Sequence, residues 1–192
     1  MHDALAASFE AWGQRVLSVI SRCINAQDEA DVSVVGRALS AASSWEGCPR
    51  ASELSVDGAV PAYRRISLGE PGAFEALLIL WPPGHATPIH DHQGLWGLEY
   101  VLDGVLEVES FKLTPSPDIH LEPQQTLVAG VGDYLVFSDA DYAHRCRNFS
   151  KNRAALTLHV YGGSLDAYRS FHATEDAWSW MQHETVREKA SS

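Results

Sequence analysis

The sequence predicts a mainly β protein, an antiparallel barrel or jelly roll with an N-terminal helical cap. Two observations carry this reading. Short β-rich runs follow one another from about Tyr63 onward, at 74–81, 98–102, 105–111, 134–137 and 155–161, and many short strands at close spacing suit a closed or two-sheet antiparallel architecture. Before them, Leu5, Phe9, Trp12, Val16, Val19, Ile20 and Cys23 recur at intervals of three and four, the period of an amphipathic helix.

The elements follow in order. Helix covers residues 5–23, and a weaker helical stretch covers about 32–42, where Val35, Leu39 and Ala42 share a face and Ser43, Ser44 and Gly47 mark an end. Together these make residues 1–50 the cap, and residues 60–175 the β core. Pro82, Pro83 and Gly84 break the first strand run, Asp103-Gly104 is a hairpin signal, and Pro115, Ser116 and Pro117 mark an exposed loop. Tyr168, Phe171, Trp178 and Trp180 suit a strand or extended tail packed on the barrel, and residues 185–192 are expected to be disordered. With 192 residues, 45% of them hydrophobic, the chain can build one substantial core, so one domain over 1–192 is expected.

Charge narrows the partners. Lys and Arg number 14 against 25 Asp and Glu, a formal charge of -11, which repels nucleic acid and anionic membrane surfaces. Cys23, Cys48 and Cys146 are odd in number and lack a Cys-x-x-Cys pair, so a disulfide framework and a thiolate zinc site are not signalled. Asp3 and Glu10 stand where a signal peptide needs a basic start, and there is no apolar run of about 18 residues. A cytoplasmic protein without membrane segments is expected. Nothing in the sequence fixes an oligomeric state.

The chemistry lies in the histidines. His90 and His92 are one residue apart, and on a strand that spacing places both side chains on one face. His144 opens the run His144-Arg145-Cys146-Arg147-Asn148 shortly after a β-patterned segment. Thr157, His159 and Tyr161 share a second face, lining up a hydroxyl, an imidazole and a phenol, while Leu158 and Val160 point the other way.

These segments resemble the two motifs of the cupin superfamily. Gly84, His90, His92 and Gly104 fall on the first motif, in which Gly97 occupies the position of its glutamate; Gly132, His144 and Asn148 follow the second, with one extra residue between Gly and His. The resemblance implies a cupin-type antiparallel β-barrel and a metal site made by His90, His92 and His144. Three neutral imidazoles leave a dication its full charge and leave three octahedral positions open, which favours an anionic, bidentate substrate together with dioxygen.

Within the cupins the chain is similar to the cysteine dioxygenase family, including bacterial thiol dioxygenases, over roughly Tyr63 to Tyr161, about half of its length. Four features carry the similarity: Tyr63-Arg64-Arg65; Trp81-Pro82-Pro83-Gly84-His85 leading to His90-Asp91-His92 and Trp96-Gly97; His144-Arg145 with Asn148; and Thr157-Leu158-His159-Val160-Tyr161. Glycine at 97 excludes the cysteine-to-tyrosine crosslink of animal members, and Thr157 replaces the serine of the family's Ser-His-Tyr relay.

The resemblance implies an Fe(II)-dependent thiol dioxygenase that adds both atoms of O2 to the sulfur of a small thiol, L-cysteine being the first choice. It assigns catalytic roles to Tyr161, His159 and Thr157. Arg65 becomes the carboxylate clamp, and Tyr63 and Trp96 line the substrate pocket. Two alternatives stand beside it: a 3-mercaptopropionate or other mercapto-acid dioxygenase, in which Arg169 takes the clamp role, and a cupin that binds a small ligand without turnover. Trp81 and Cys146 are expected to serve packing only.

Overall fold

The computed structural model describes residues 2–25, 32–54, 62–69, 72–114, 119–138, 140–175 and 177–189. The apolar period of the N-terminal segment becomes α1 (His2–Asn25), followed by α2 (Val32–Ala38) and a single 3-10 turn, Ala42–Ser44. Trp12, Val16 and Ile20 of α1 are fully buried with Val35 and Leu39, and the Trp12 indole donates to the Ala42 carbonyl at 3.0 Å, tying the helix to the turn. Gly36 lets α2 lie directly against the Tyr134 ring, where a Cβ would collide with it.

Among the described residues twelve strands follow: β1 (Arg64–Gly69), β2 (Glu75–Trp81), β3 (Ile89–His90), β4 (Gly97–Asp103), β5 (Leu106–Thr114), β6 (His120–Ala129), β7 (Tyr134–Phe137), β8 (Tyr142–Asn148), β9 (Ala155–Tyr161), β10 (Ala167–Ala173), β11 (Trp178–Glu184) and β12 (Glu188–Lys189). They form two six-stranded sheets, ordered β12-β1-β2-β9-β4-β7 and β11-β10-β3-β8-β5-β6. The expected mainly β class with an N-terminal helical cap is thus the observed one.

The central strands of the first sheet, β2, β9 and β4, are covered on both sides. Ala76, Leu78, Leu80, Leu98, Tyr100, Leu102, Leu156, Leu158 and Val160 form one core with the helices. The alternate positions Ile79, Trp81, Val101 and Ala155 pack with Leu106, Val108 and Cys146 of the second sheet. This explains why β2 and β9 are buried at every position: a strand covered on both faces reads as a continuous apolar run. A polar side chain on the inner face therefore sits between the sheets, away from water.

Two expectations are corrected. Asp103-Gly104 is not a hairpin, because β4 and β5 belong to different sheets. Gly104 has a positive φ of 85°, and Asp103 turns out to accept the Ala51 amide at 3.0 Å, so the tight turn carries the chain from one sheet to the other. The end of the chain is not wholly disordered: Ile66 and Ser67 pair with Glu188 and Lys189 in parallel, and Arg64 forks onto the Glu188 carboxylate, which anchors the segment. Residues 190–192 and the expected loop at 115–117 lie outside the described residues.

Candidate metal centre and its surroundings

The two sheets bring the histidines and the relay together. His90 on β3 is the register partner of His144 on β8, and His92 follows two residues after His90. Their rings meet at centroid separations of 4.6 Å (His90 to His144), 4.8 Å (His92 to His144) and 5.2 Å (His90 to His92). One nitrogen from each lies within 4.8 Å of the others, and Nε2 of His92 and Nε2 of His144 are 3.3 Å apart. Nitrogens at about 2.1 Å from one ion are separated by about 3 Å or slightly more, so the donor set suits a metal cofactor.

The imidazoles are in the protonation state that ligation needs. Burial pushes His90 down to about 4, and burial together with the neighbouring histidines holds His92 and His144 well below the usual range. Nδ1 of His90 lies 3.1 Å from the Pro88 carbonyl, which fixes its proton there and turns Nε2 toward the centre. Asp91, between His90 and His92, is 1% exposed and is gripped by Arg169 through Nε at 2.7 Å, through Nη2, and through the backbone amide at 3.0 Å. Arg169, the alternative carboxylate clamp, is thereby committed to holding the His-x-His segment.

Gly97 is a packing requirement. A Cβ there would run into the Phe137 ring, which stacks on His92 at 4.6 Å and on Tyr142 at 5.0 Å. An aromatic ring fills the space where the first motif carries its glutamate side chain.

The relay on β9 is continuous. Trp81 donates its indole N–H to Thr157 Oγ1 at 2.8 Å, Thr157 Oγ1 is 2.9 Å from His159 Nε2, and His159 Nδ1 is 3.1 Å from the Tyr161 hydroxyl. An indole can only donate, so Thr157 accepts from Trp81 and is free to donate its own proton to His159 Nε2. His159 Nδ1 then carries hydrogen and donates to Tyr161, leaving the Tyr161 hydroxyl proton for the site. Burial raises the Tyr161 phenol well above its ordinary value, which keeps that proton in place. Trp81, expected to pack only, heads the chain of donors. Tyr161 itself lies 4.9 Å, ring to ring, from His92.

Residues 4–174 match the cysteine dioxygenase type I family. The chain belongs to this family. It is 25% identical over 100 residues to cysteine dioxygenase type 1 of Homo sapiens, covering 52% of this chain and 50% of that protein, and 28% identical over 104 residues to the Danio rerio protein, with the same coverage. The chain spans about half the length of the curated relatives it matches. Among solved structures, hydroquinone 1,2-dioxygenase from Sphingomonas sp. with 4-hydroxybenzoate bound superposes with a TM-score of 0.44 at 13% identity, over 60% of this chain and 74% of that one.

For a cysteine dioxygenase family member, the remaining expected residues divide. Arg65 on β1 faces the site: its guanidinium lies 5.6 Å from the Tyr168 ring centroid, and its charge acts on His90, His92, His159 and Tyr161. Its Nε is buried without a hydrogen-bond partner. Tyr63 stacks on His85 at 4.6 Å and meets the Trp81 ring edge-on at 5.3 Å, near the start of the relay. Trp96 is elsewhere. Its indole lies against Gly162 and packs with the cluster under the helices, so it does not join the other site residues; Trp96 immediately precedes β4 and its side chain turns to the helix side of the sheet.

Two residues near the centre carried no motif. Tyr168, on β10, sits 5.7 Å from His90 ring to ring. Glu99, on the inner face of β4, is 1% exposed and lies 3.5 Å from Nδ1 of both His144 and His159. Burial pushes its carboxyl up to about 8. Its sequence signal is the spacing: Glu99 is two residues beyond Gly97 and so on the same strand face.

These shifts set a pH dependence for the metal-free protein. Below about 6.5 the unfolded chain protonates His90, His92, His144 and His159 while the folded chain refuses those protons, so stability falls as pH drops toward 4. Glu99 acts in the opposite sense: the unfolded carboxyl ionises from about 4.5 upward while the folded one stays protonated until about 8, so stability falls as pH rises through that window. Four groups outweigh one below 6.5, and of these five only Glu99 acts between 6.5 and about 8. The melting temperature of metal-free protein is expected to peak near pH 6.5 and fall on both sides; a flat profile from pH 4 to 6.5 in thermal scans would contradict neutral, buried histidines.

Proposed function

We propose that the protein is an iron(II)-dependent thiol dioxygenase that converts a small thiol and O2 to the sulfinic acid, with L-cysteine as substrate. The reaction consumes one thiol and one O2, and every atom of both appears in the sulfinic acid. Iron(II) held by His90, His92 and His144 would supply open coordination positions and electrons for the reaction between thiolate and O2.

The observation that carries the reading is Arg65. A guanidinium whose Nε is buried without a partner, facing a cluster of neutral imidazoles, is an anion site in need of an anion. A substrate carboxylate satisfies it, and a carboxylate held there orients a short thiol toward the three histidines. Tyr161, at the end of the Trp81-Thr157-His159 relay, directs its hydroxyl proton to the substrate side. Tyr63, with its phenol pushed up to about 12 mainly by burial, stays neutral beside Arg65 and closes that wall.

Oxygen uptake by anaerobically purified, iron-loaded protein tests the reading with cysteine, 3-mercaptopropionate and mercaptosuccinate, the product being identified by a mass gain of two oxygens. A ligand-dependent rise in melting temperature without oxygen consumption would instead identify a binding protein. Tyr161→Phe is expected to lower kcat about 10-fold or more at unchanged iron content, because the phenol acts beside the metal rather than on it. Loss of iron in this variant would place Tyr161 among the ligands.

A further inference from the structure

We propose that Glu99 is a positioning residue that holds His144 in its metal-binding orientation, so that the carboxylate missing at position 97 acts from one pleat deeper, on a ligand instead of as one. This rests on the reading that His90, His92 and His144 hold a metal.

The orientation of His144 is the first argument. Its Nε2 faces Nε2 of His92 at 3.3 Å, so Nε2 is the atom offered to a shared cation, and an imidazole that gives its Nε2 lone pair to a cation carries its hydrogen on Nδ1. Around that Nδ1 stand Glu99 Oε1 at 3.5 Å, the Tyr142 hydroxyl at 3.5 Å and Cys146 Sγ at 3.7 Å. A carboxylate is the strongest acceptor of the three and the one that can carry negative charge. His90 already has its own acceptor in the Pro88 carbonyl; Glu99 is the counterpart for His144.

The surroundings of Glu99 are the second argument. Among the described residues its carboxylate meets His144 Nδ1, His159 Nδ1 and the Cys146 thiol, whose Sγ is 3.5 and 3.6 Å from the two oxygens. All of these are neutral groups of the buried interior. A carboxylate enclosed this way is costly unless positive charge is near, and a dication at the three histidines is that charge, one imidazole away. The register explains how the residue reaches this point: on the inner face of β4, Gly97 is opposite Tyr161 and Glu99 is opposite His159, while the Phe137 ring occupies the space beside Gly97.

Glu99, His144 and Cys146 also bring three ligand atoms within 4.8 Å of one another, which allows a competing arrangement with the cation on the Nδ1 side of His144. Cobalt(II) distinguishes the two. Its affinity is measured by competition with a chromophoric chelator for the parent protein, Glu99→Gln, Glu99→Leu and His90→Ala, with the melting temperature of each metal-free protein recorded alongside.

Glu99→Gln keeps the shape and an acceptor oxygen and removes the charge, and is expected to weaken cobalt binding about 10-fold; Glu99→Leu, which removes the acceptor, is expected to weaken it toward 100-fold. Metal-free Glu99→Gln should melt no lower than the parent, since a buried carboxyl has been replaced by an amide; a purely structural role would lower its melting temperature instead and leave the affinity alone. Unchanged affinity in Glu99→Gln, with affinity lost in His90→Ala, overturns the proposal while the metal reading stands. A cobalt-thiolate absorption in the parent that disappears in Cys146→Ser overturns it in favour of direct ligation. A parent protein that binds no cobalt, or an undiminished affinity in His90→Ala, overturns the metal reading and this proposal with it.

Discussion

His144→Ala is expected to bring the metal content of anaerobically purified protein from about one ion per chain to less than a tenth of that, and turnover with it. His144 is fully buried and stands between the other two histidines, its ring 4.6 Å from that of His90 and 4.8 Å from that of His92. Losing an outer partner of a ligand costs roughly 10- to 100-fold in metal affinity, and losing a ligand costs more. The two remaining imidazoles make a site that chelating buffers strip. His85→Ala is the control, because His85 stacks on Tyr63 and has no place among the three converging rings. Metal analysis reads both variants, with circular dichroism to show that each is folded. Full iron and full turnover in His144→Ala would refute the ligand assignment.

The parts of the fold that were legible are those where burial and sequence pattern agree. Residues 134–137 and 155–161 read as strands from their apolar runs and become β7 and β9 with the same limits. Strand β6 (His120–Ala129) was not legible: it is a mostly exposed edge strand with Pro123 at a register shift, and an edge tolerates the proline and the polar residues that argue against a strand. Strand β3 spans only Ile89–His90, too short to leave a pattern, although it positions His90.

At the site, the paired histidines were legible as a motif, although β3 ends at His90 and His92 lies in the loop after it, so strand alternation is not what brings that pair together. The Thr157-His159-Tyr161 face was legible because period-two spacing survives along β9. Glu99 was hidden by the same rule. A single glutamate among Leu98, Tyr100 and Val101 reads as the solvent-facing position of a half-buried strand, yet helices cover one side of β4 and the second sheet covers the other, so every position from Gly97 to Leu102 is buried. The role of Trp81 was hidden for a related reason: an apolar run announces burial and says nothing about where an indole N–H points.

Arg65→Ala is expected to raise KM for cysteine strongly, lowering kcat/KM about 30-fold or more, in keeping with the roughly 2 to 5 kcal/mol that a desolvated, charge-assisted pair contributes. The competing clamp, Arg169, makes a different prediction because its guanidinium is already bound to Asp91. Arg169→Ala leaves the carboxylate of Asp91, 1% exposed, without its cation, a loss of about 3 kcal/mol or somewhat more; that lowers the melting temperature by roughly 10 °C in a chain of this size. Its kinetic effect should come through the His90-Asp91-His92 segment, as reduced metal content, with KM for the thiol unchanged once the variant is reloaded with iron. The two substitutions therefore separate a substrate contact from a support of the metal site. Should Arg65→Ala leave the kinetics of every active thiol intact while iron-loaded Arg169→Ala abolishes them, cysteine is the wrong substrate and the mercapto-acid reading replaces it, since the carboxylate would then be held on the β10 side of the site, at a different distance from the sulfur.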